Sequence, residues 1–361
     1  MARLRDVIVV GGGPAGLAVG LVAARRGLDV LVLERGSLPP DKACGEGILP
    51  AGVRALDALG VRALLDTSGV APVRAIRWVD GGVSAEALLP EPGGLGVRRT
   101  ALSAALLAAA QRAGAEIRGR TPVRLHHRGP SGVDVEADSG SERARLLVAA
   151  DGLASPIRRR EGLDVPVAGA PRFGLRRHFA RPPWTDAVEV YFGEGVEAYV
   201  TPAGPARVGI AFLCEQAARR SYGELLALFP EVEERVVGSA CDSALAGAGP
   251  LSRAARVRSL DRLLMVGDAA GYVDAITGEG ISLALQCALE LGKILPEGLA
   301  AGATRDAFRL WEQAEARRFA LYATFARLVL GLARRPQARR ATLGFFSRHP
   351  RIFSALVGAF T

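Results

Sequence analysis

Gly11, Gly13 and Gly16 hold the GxGxxG positions of Gly11-Gly12-Gly13-Pro14-Ala15-Gly16, and Glu34 follows eighteen residues after the last of them. Glycines at this spacing suit one task, the binding of a dinucleotide. The first permits a tight turn, the second lets backbone approach a pyrophosphate, and the third lets a helix pack closely on a strand, so that the phosphate rests on the helix N-terminus. An acid at the end of the next strand can accept hydrogen bonds from both hydroxyls of an adenosine ribose. Glu34 also disfavours NADP at this station, because a 2′-phosphate would meet its charge, with Arg35 beside it as the opposing influence. The candidate cofactor contacts here are Gly11, Gly13, Pro14, Ala15, Gly16, Glu34 and Arg35.

Elements must hold these residues in place. Val7 to Val10 is a continuous β-branched run, as a parallel strand buried on both faces requires. Leu17 to Arg26 reads as a helix and Asp29 to Leu33 as a second strand. In a chain with 44 glycines a lone GxGxxG is weak evidence; strand, glycines, helix, strand and terminal acid in this order give it weight.

Two later stations repeat the strand-then-turn pattern. Leu147 to Ala150 leads into Asp151-Gly152, and Leu263 to Val266 leads into Gly267-Asp268-Ala269-Ala270-Gly271. Thr277-Gly278-Glu279-Gly280 then opens a helix to Leu295 with Ile281, Leu285, Ala288 and Leu289 on one stripe. A helix start opened by glycines exposes unpaired N–H groups and a positive dipole end, which suits a negative charge developing on a reduced flavin ring. Asp268, at a strand end, could hold a sugar-alcohol hydroxyl.

In these three ordered motifs, "VIVVGGGPAGLAVG…LVLER", "AADGLASPIRR" and "VGDAAGYVDAITGEGISLAL", the chain resembles the FAD-dependent group of aromatic-ring hydroxylases, geranylgeranyl reductases and flavin-dependent halogenases, over roughly residues 5 to 300. The resemblance implies a glutathione-reductase-type fold: an α/β, Rossmann-like FAD-binding domain with a parallel sheet, interleaved with a mainly antiparallel β substrate domain. It further implies that Gly11, Gly13, Gly16 and Glu34 bind the ADP half and Asp268 the ribityl or pyrophosphate region. Gly278, Gly280 and Ile281 would approach the flavin ring, Arg99 would contact the cofactor, and Val123 would offer a backbone contact to adenine. Asp151 and Gly152 would bring a third loop to the nucleotide. Ala275 stands where relatives commonly have Pro, which leaves that loop less rigid.

The members' chemistries compete. Halogenases carry a WxWxIP segment, whereas the comparable stretch here is Tyr199-Val200-Thr201-Pro202 without tryptophan. "DKACGEGILP" resembles the Cys-Gly segment of geranylgeranyl reductases, which would put Cys44 and Gly45 beside the flavin, but their YxWxFP motif is reduced to the same remnant. The leading expectation is therefore an FAD monooxygenase using NAD(P)H and O2 on a hydrophobic, phenolic or polyketide-like molecule, as in natural-product biosynthesis. A prenyl-saturating reductase is the alternative, and a non-catalytic flavin electron carrier a third reading. With no second GxGxxG unit, the reductant is NAD(P)H bound transiently or a separate reductase. Cys44, Tyr199 and His178 are the candidate catalytic residues, with Glu46 and Tyr191 also placed on the substrate side.

Composition bounds the rest. At 361 residues, 49% of them apolar, the chain can bury a sizeable core. Its net charge of +9 is confined to a tail: residues 316–361 carry nine Arg, no Lys and no acid, so the first 315 hold 37 bases and 37 acids. A neutral body argues against nucleic acid. Four scattered cysteines without a CxxC pair suggest neither metal site nor disulfide framework, and hence a reducing, cytoplasmic setting. The basic start before an apolar stretch could pass for a signal peptide, but Asp6 and the Gly-Pro break fit strand-turn-helix better, and no apolar run of 18 residues follows.

The expected divisions are residues 1–71, 93–165 and 251–304 for FAD, 72–92 and 166–250 for substrate, and 305–361 as a helical basic segment. From Arg305 to Arg335 an amphipathic helix is expected, with Leu321, Phe325, Leu328, Val329 and Leu332 on one face and Pro336 as its stop. The tail either packs over the FAD domain with its arginines in solvent or lies as a peripheral contact on an anionic membrane, and it covers or feeds the substrate cleft.

Overall fold

The β-branched run near the N-terminus sits at the centre of a sheet in the computed structural model, which describes residues 3–167, 169–215 and 220–361. Strand Leu4–Val10 pairs in parallel with Gly140–Ala149 on one side and Val30–Leu33 on the other. Leu263–Met265 and Glu116–Arg118 extend the parallel set outward, and Ser259–Leu260 adds an antiparallel edge. Alternation along the central strand explains its composition: Val7 and Val9 face one layer of core, Ile8 and Val10 the other.

Helices α1 (Pro14–Arg25), α2 (Pro50–Ala58) and α3 (Arg99–Arg112) contribute to the first layer. The antiparallel hairpin of Val123–Gly129 and Gly132–Ala137 covers the second, joined by α4 (Pro156–Arg160). Pro14 occupies the first turn of α1, where its missing N–H costs nothing, so the helix begins three residues before the expected Leu17.

A seven-stranded sheet forms the second lobe, in the order Ala246–Ala248, Phe173–Phe179, Val208–Cys214, Val196–Pro202, Ala187–Phe192, Ala75–Asp80 and Val83–Leu88. All neighbours are antiparallel except Ala187–Phe192 with Ala75–Asp80. Its strands come from segments 72–92 and 166–250, so the chain enters this lobe twice. One face packs on α5 (Tyr222–Leu226) and α6 (Pro230–Val236) through Phe212, Tyr222 and Phe229.

α7 (Gly280–Ala300) returns to the first lobe and crosses α1 where Gly292 leaves no room for a Cβ against Val22. The tail then forms α8 (Arg309–Ala333), α9 (Pro336–Arg348) and α10 (Pro350–Gly358). Pro336 does not merely stop α8; it opens α9 at its first turn. These helices pack against the seven-stranded sheet, not over the first lobe alone. Phe353 lies 4.9 Å from the Trp78 ring and stacks on Phe346 at 4.6 Å. Burial of Leu343, Phe346, Phe353 and Val357 contributes about 1.5–3 kcal/mol for each side chain.

Two expectations for the tail need correction. The buried stripe of α8 is alanine-rich, running through Tyr322, Ala326, Val329 and Ala333, because small residues let the helix pack closely in this core; Leu321 and Leu328 are left outside, 67% and 66% exposed. Nor are all the tail arginines solvated, since Arg339 is buried against Asp80. No helix among the described residues is long and apolar enough to cross a membrane.

Candidate active site

Between the two lobes lies one continuous cavity of about 440 Å³. The glycine turn is its first wall. Gly11 has φ +117°, and a Cβ there would overlap the Ala150 carbonyl; a Cβ at Gly16 would overlap the Gly11 carbonyl. Such backbone packing explains the glycine spacing without reference to any ligand, and it leaves Gly13, Pro14 and Ala15 to form the wall itself. Gly13 is the N-cap of α1 without a side-chain cap, so the first N–H groups of the helix point toward the cavity end.

Glu34 sits behind this turn, buried. Its Oε2 accepts from Gly12 N–H at 2.6 Å and Oε1 from Gly36 N–H at 3.0 Å. Arg35, Lys42 and Arg99 line the cavity nearby. Burial lowers the Lys42 ammonium, opposed by Glu34 and reinforced by Arg99 and Arg35. Asp268, in the turn Gly267–Ala269, also lines the cavity; burial pushes its carboxyl up while Arg99, Lys42 and Arg158 oppose the shift. Asp151 accepts from Ile157 N–H through Oδ2, and burial pushes its carboxyl up too.

Opposite stands the loop into α7. Gly278 has φ +71°, and Gly278, Glu279, Gly280 and Ile281 line the cavity at a helix start that carries no side-chain cap. Burial raises the Glu279 carboxyl to about 8, against the opposing charge of Arg54. Tyr199 lines the cavity, donating from its hydroxyl to the Ile276 carbonyl at 3.0 Å, and burial holds its phenol well above the ordinary value. Its visible role is therefore to hold the 275–281 loop against the seven-stranded sheet. Cys44 also lines the cavity, and its Sγ accepts from Glu46 N–H at 3.3 Å.

Most residues singled out from the sequence thus converge. Gly13, Pro14, Ala15, Arg35, Cys44, Gly45, Arg99, Asp151, Gly152, Tyr199, Asp268, Gly278, Gly280 and Ile281 line the same cavity, with Gly11, Gly16 and Glu34 directly behind. Three do not join them. Val123 starts the outer hairpin and packs in the second core layer; the segment before it reaches Glu34 through the Thr121 N–H. His178 is fully buried behind Glu46. Tyr191 points away because side chains alternate along its strand: Val188 and Val190 face the cavity, whereas the Tyr191 hydroxyl donates to Glu189 on the far side.

Lys42, Arg176 and Glu279 are cavity residues that the sequence reading missed. Lys42 carried a signal, as one of only two lysines, two residues before Cys44. Arg176 and Glu279 needed the second lobe and the helix start to be placed. Among the described residues no cluster of His, Cys, Asp or Glu could hold a metal, and the four cysteines form no disulfide.

The donor set fits FAD. Arg99 Nε, Asp151 Oδ1 and Thr277 Oγ1 are buried without a hydrogen-bond partner in the protein, and all three residues line the cavity. Cationic Lys42 and Arg99 beside the α1 start suit a pyrophosphate, and the start of α7 suits an electron-rich ring.

A family model described as an FAD binding domain matches residues 5–323. The menaquinone reductase of Mycobacterium tuberculosis is 30% identical over 359 residues, covering 90% of this chain and 85% of that protein. The digeranylgeranylglycerophospholipid reductase 1 of Methanopyrus kandleri is 31% identical over 331 residues, covering 84% and 83%. In fold, a flavoprotein/dehydrogenase from Cytophaga hutchinsonii superposes with a TM-score of 0.84 at 18% identity, over 98% of this chain and 93% of that one. A match this long, reinforced by two reductases spanning both lobes, means that the chain belongs to the FAD-binding-domain family and is an FAD-dependent oxidoreductase.

Proposed function

We propose that the protein is an FAD-dependent reductase that saturates a carbon–carbon double bond in a polyprenyl chain. The observation that carries this reading is the continuity of the cavity. The polar residues Arg99, Asp151 and Asp268 line the same cavity as the apolar set Ile76, Trp78, Val188, Val190 and Leu213 and as Phe325, Val329 and Val357 of the tail. A chamber of this lining holds a hydrocarbon by burial and has few groups to orient a polar aromatic ring. Menaquinone and digeranylgeranylglycerophospholipid, the compounds in the relatives' names, share a polyprenyl chain.

When bound, FAD supplies the electron pair. This chain's residues have the other tasks: Lys42 and Arg99 hold the cofactor's phosphates, the α7 start faces its ring, and the apolar wall orients the chain and excludes water. Cys44 lines the same cavity.

The exposed face of the tail supports delivery from a bilayer. Leu321 and Leu328 of α8 and Ile352, Leu356 and Phe360 around α10 are exposed, and Phe360 stacks at 4.0 Å on Phe325, which lines the cavity. Of the nine arginines in residues 316–361 seven are exposed, and with no acid in the segment they complement anionic headgroups. The occupant of this face in our reading is an anionic phospholipid surface.

The deciding experiment is anaerobic incubation of the reduced holoenzyme with menaquinone or geranylgeranyl lipid. Gain of two hydrogens in the prenyl chain, read by mass spectrometry, supports the reductase. A product that forms only with O2 and carries a new oxygen would instead support the monooxygenase that the sequence favoured. Comparison of NADH, NADPH and a chemical reductant as electron sources identifies the donor.

A further inference from the structure

We propose that Glu46 is the proton-delivering carboxyl of this cavity, with His178 as its positioning residue and Ser243 as its link to solvent. The inference takes the identity of the proton acceptor, a prenyl carbon, from the reductase reading; the relay stands on its own geometry.

Glu46 is the unusual residue of the Cys44-Gly45-Glu46-Gly47 loop. Its φ is +61°, in the left-handed region that side chains other than Asn and Asp seldom adopt, although glycines stand on both sides of it. Strain of this kind persists where the surroundings over-determine it, and it concentrates at functional positions. The surroundings here are specific. Oε1 accepts from Arg99 N–H at 2.9 Å, and Oε2 meets His178 Nε2 in a short hydrogen bond. Arg98 Nε lies 3.6 Å from Oε1, and the Glu46 carbonyl accepts from Val97 N–H. The residue is 2% exposed yet lines the cavity beside Cys44.

The hydrogen bonds behind Glu46 assign the imidazole tautomer. Ser243 Oγ accepts from the His178 backbone N–H at 3.0 Å, so its own hydrogen is available to His178 Nδ1 at 2.8 Å. Arg176 Nη1, a donor only, also faces Nδ1 at 3.3 Å. Nδ1 is therefore the acceptor, and the ring proton sits on Nε2, directed at Glu46. Ser243 is partly exposed, so a continuous line of exchangeable protons runs from solvent to the cavity wall. The charged groups facing this line are Arg98 and Arg176, both countered by Asp41, and the other titratable group on the loop is Cys44.

Saturating one double bond adds one hydrogen together with the electron pair drawn from the reduced flavin, and one as a proton. In the proposed step Glu46 gives the proton to carbon and becomes a carboxylate. His178 re-protonates it from Nε2 while Nδ1 takes the Ser243 hydroxyl hydrogen, which solvent replaces. Water entering after product release gives a proton to Glu46, Glu46 passes one to Nε2, and Nδ1 returns its proton through Ser243 to solvent, which restores the tautomer.

Glu46→Gln keeps an acceptor for Arg99 N–H but cannot cycle a proton. The expected result is FAD affinity within threefold of wild type by flavin-fluorescence titration, KM within threefold, and kcat down about 10²–10⁴-fold. His178→Gln, which retains an N–H donor toward Glu46, should keep more kcat than His178→Phe. Nitrogen-15 NMR of the imidazoles in the apoprotein gives a readout independent of turnover, eased by a total of four histidines. It should show His178 neutral with its proton on Nε2, and a changed Nε2 shift in Glu46→Gln. A kcat within threefold of wild type, or a proton on Nδ1, would overturn the proposal. Wild-type enzyme that reduces no prenyl substrate would defeat the reductase reading instead, and the NMR result would still decide the relay.

Discussion

Arg339 on α9 donates from Nε to Asp80 Oδ2 at 2.8 Å, and both side chains are almost completely buried. The pair joins the tail to strand Ala75–Asp80, one end of which belongs to the cavity wall through Ile76 and Trp78. The guanidinium also lies over the Phe192 ring at 5.1 Å and donates to the Ala333 carbonyl. Exposed Arg340 also lies 3.4 Å from Asp80 Oδ2, so removing Arg339 leaves the buried carboxylate one solvated partner and costs at most the loss of an unpaired buried charge, about 3–5 kcal/mol. Arg339→Leu should therefore lower the denaturation midpoint strongly, whereas Asp80→Asn/Arg339→Leu together should recover part of the loss. Denaturant titration of the wild type, the two single variants and the double variant checks this; additive losses would show that the two side chains do not act as a pair.

Gly16→Ala places a methyl group against the Gly11 carbonyl and 3.2 Å from the Ala150 Cβ. The turn must open to admit it, which displaces Gly13 from the cavity wall. FAD affinity should fall at least tenfold, corresponding to about 1.4 kcal/mol. Flavin-fluorescence titration reads the change, and unchanged affinity would remove this turn from the cofactor site.

Glu279 gives the protein a pH dependence of definite sign. Burial raises its carboxyl to about 8 in the folded state, above its ordinary value of 4.5. Between these values the native state holds the proton and the unfolded state does not. This contribution to stability is present below about 4.5, is lost as pH rises toward about 8, and is absent above. Glu279→Gln should flatten that decline and be more stable than wild type at alkaline pH, by on the order of a few kcal/mol. Thermal midpoints measured across the pH range test it; parallel curves for the two proteins would contradict it.

Leu321→Glu/Leu328→Glu changes two exposed positions and should leave the thermal midpoint nearly unaltered. Binding to vesicles of anionic phospholipid should nevertheless fall at least tenfold, while binding to neutral vesicles is weak for both proteins. Equal sedimentation of variant and wild type with anionic vesicles would defeat the membrane reading.

Tyr199→Phe and Cys44→Ser separate loop-holding from chemistry. Loss of the Tyr199 hydroxyl leaves the Ile276 carbonyl without its donor, a cost of about 1–3 kcal/mol, so FAD affinity should drop while single-turnover rate at saturating FAD stays within threefold. Cys44→Ser keeps a small polar side chain in the loop. An unchanged single-turnover rate would remove Cys44 from the chemistry; a fall of tenfold or more would place it there.

The first lobe was legible in the sequence because its constraints are local. A β-branched run, glycines that cannot bear a Cβ and an acid at a strand end each act within about forty residues, and the strand, turn and helix they imply form as expected. The cavity's other wall was less legible. Whether Tyr191 or Tyr199 faces the cavity depends on the phase of a two-residue alternation, which the sequence does not reveal when strands are buried on both faces, as Ala187–Phe192 and Val196–Pro202 are. His178 was singled out as a lone histidine, but its setting came from residues 46 and 243, far from it along the chain. The buried face of α8 was misread because its alanines, and not its leucines, make the close contact.

The stacking of Phe325 on Phe360 also bears on how the protein matures. The glycine turn and α10 stand more than 300 residues apart in the chain, yet they bound the same cavity. While the polypeptide emerges from the ribosome, its cleft lacks this wall until the tail has followed, so the apolar part of the cavity is assembled last.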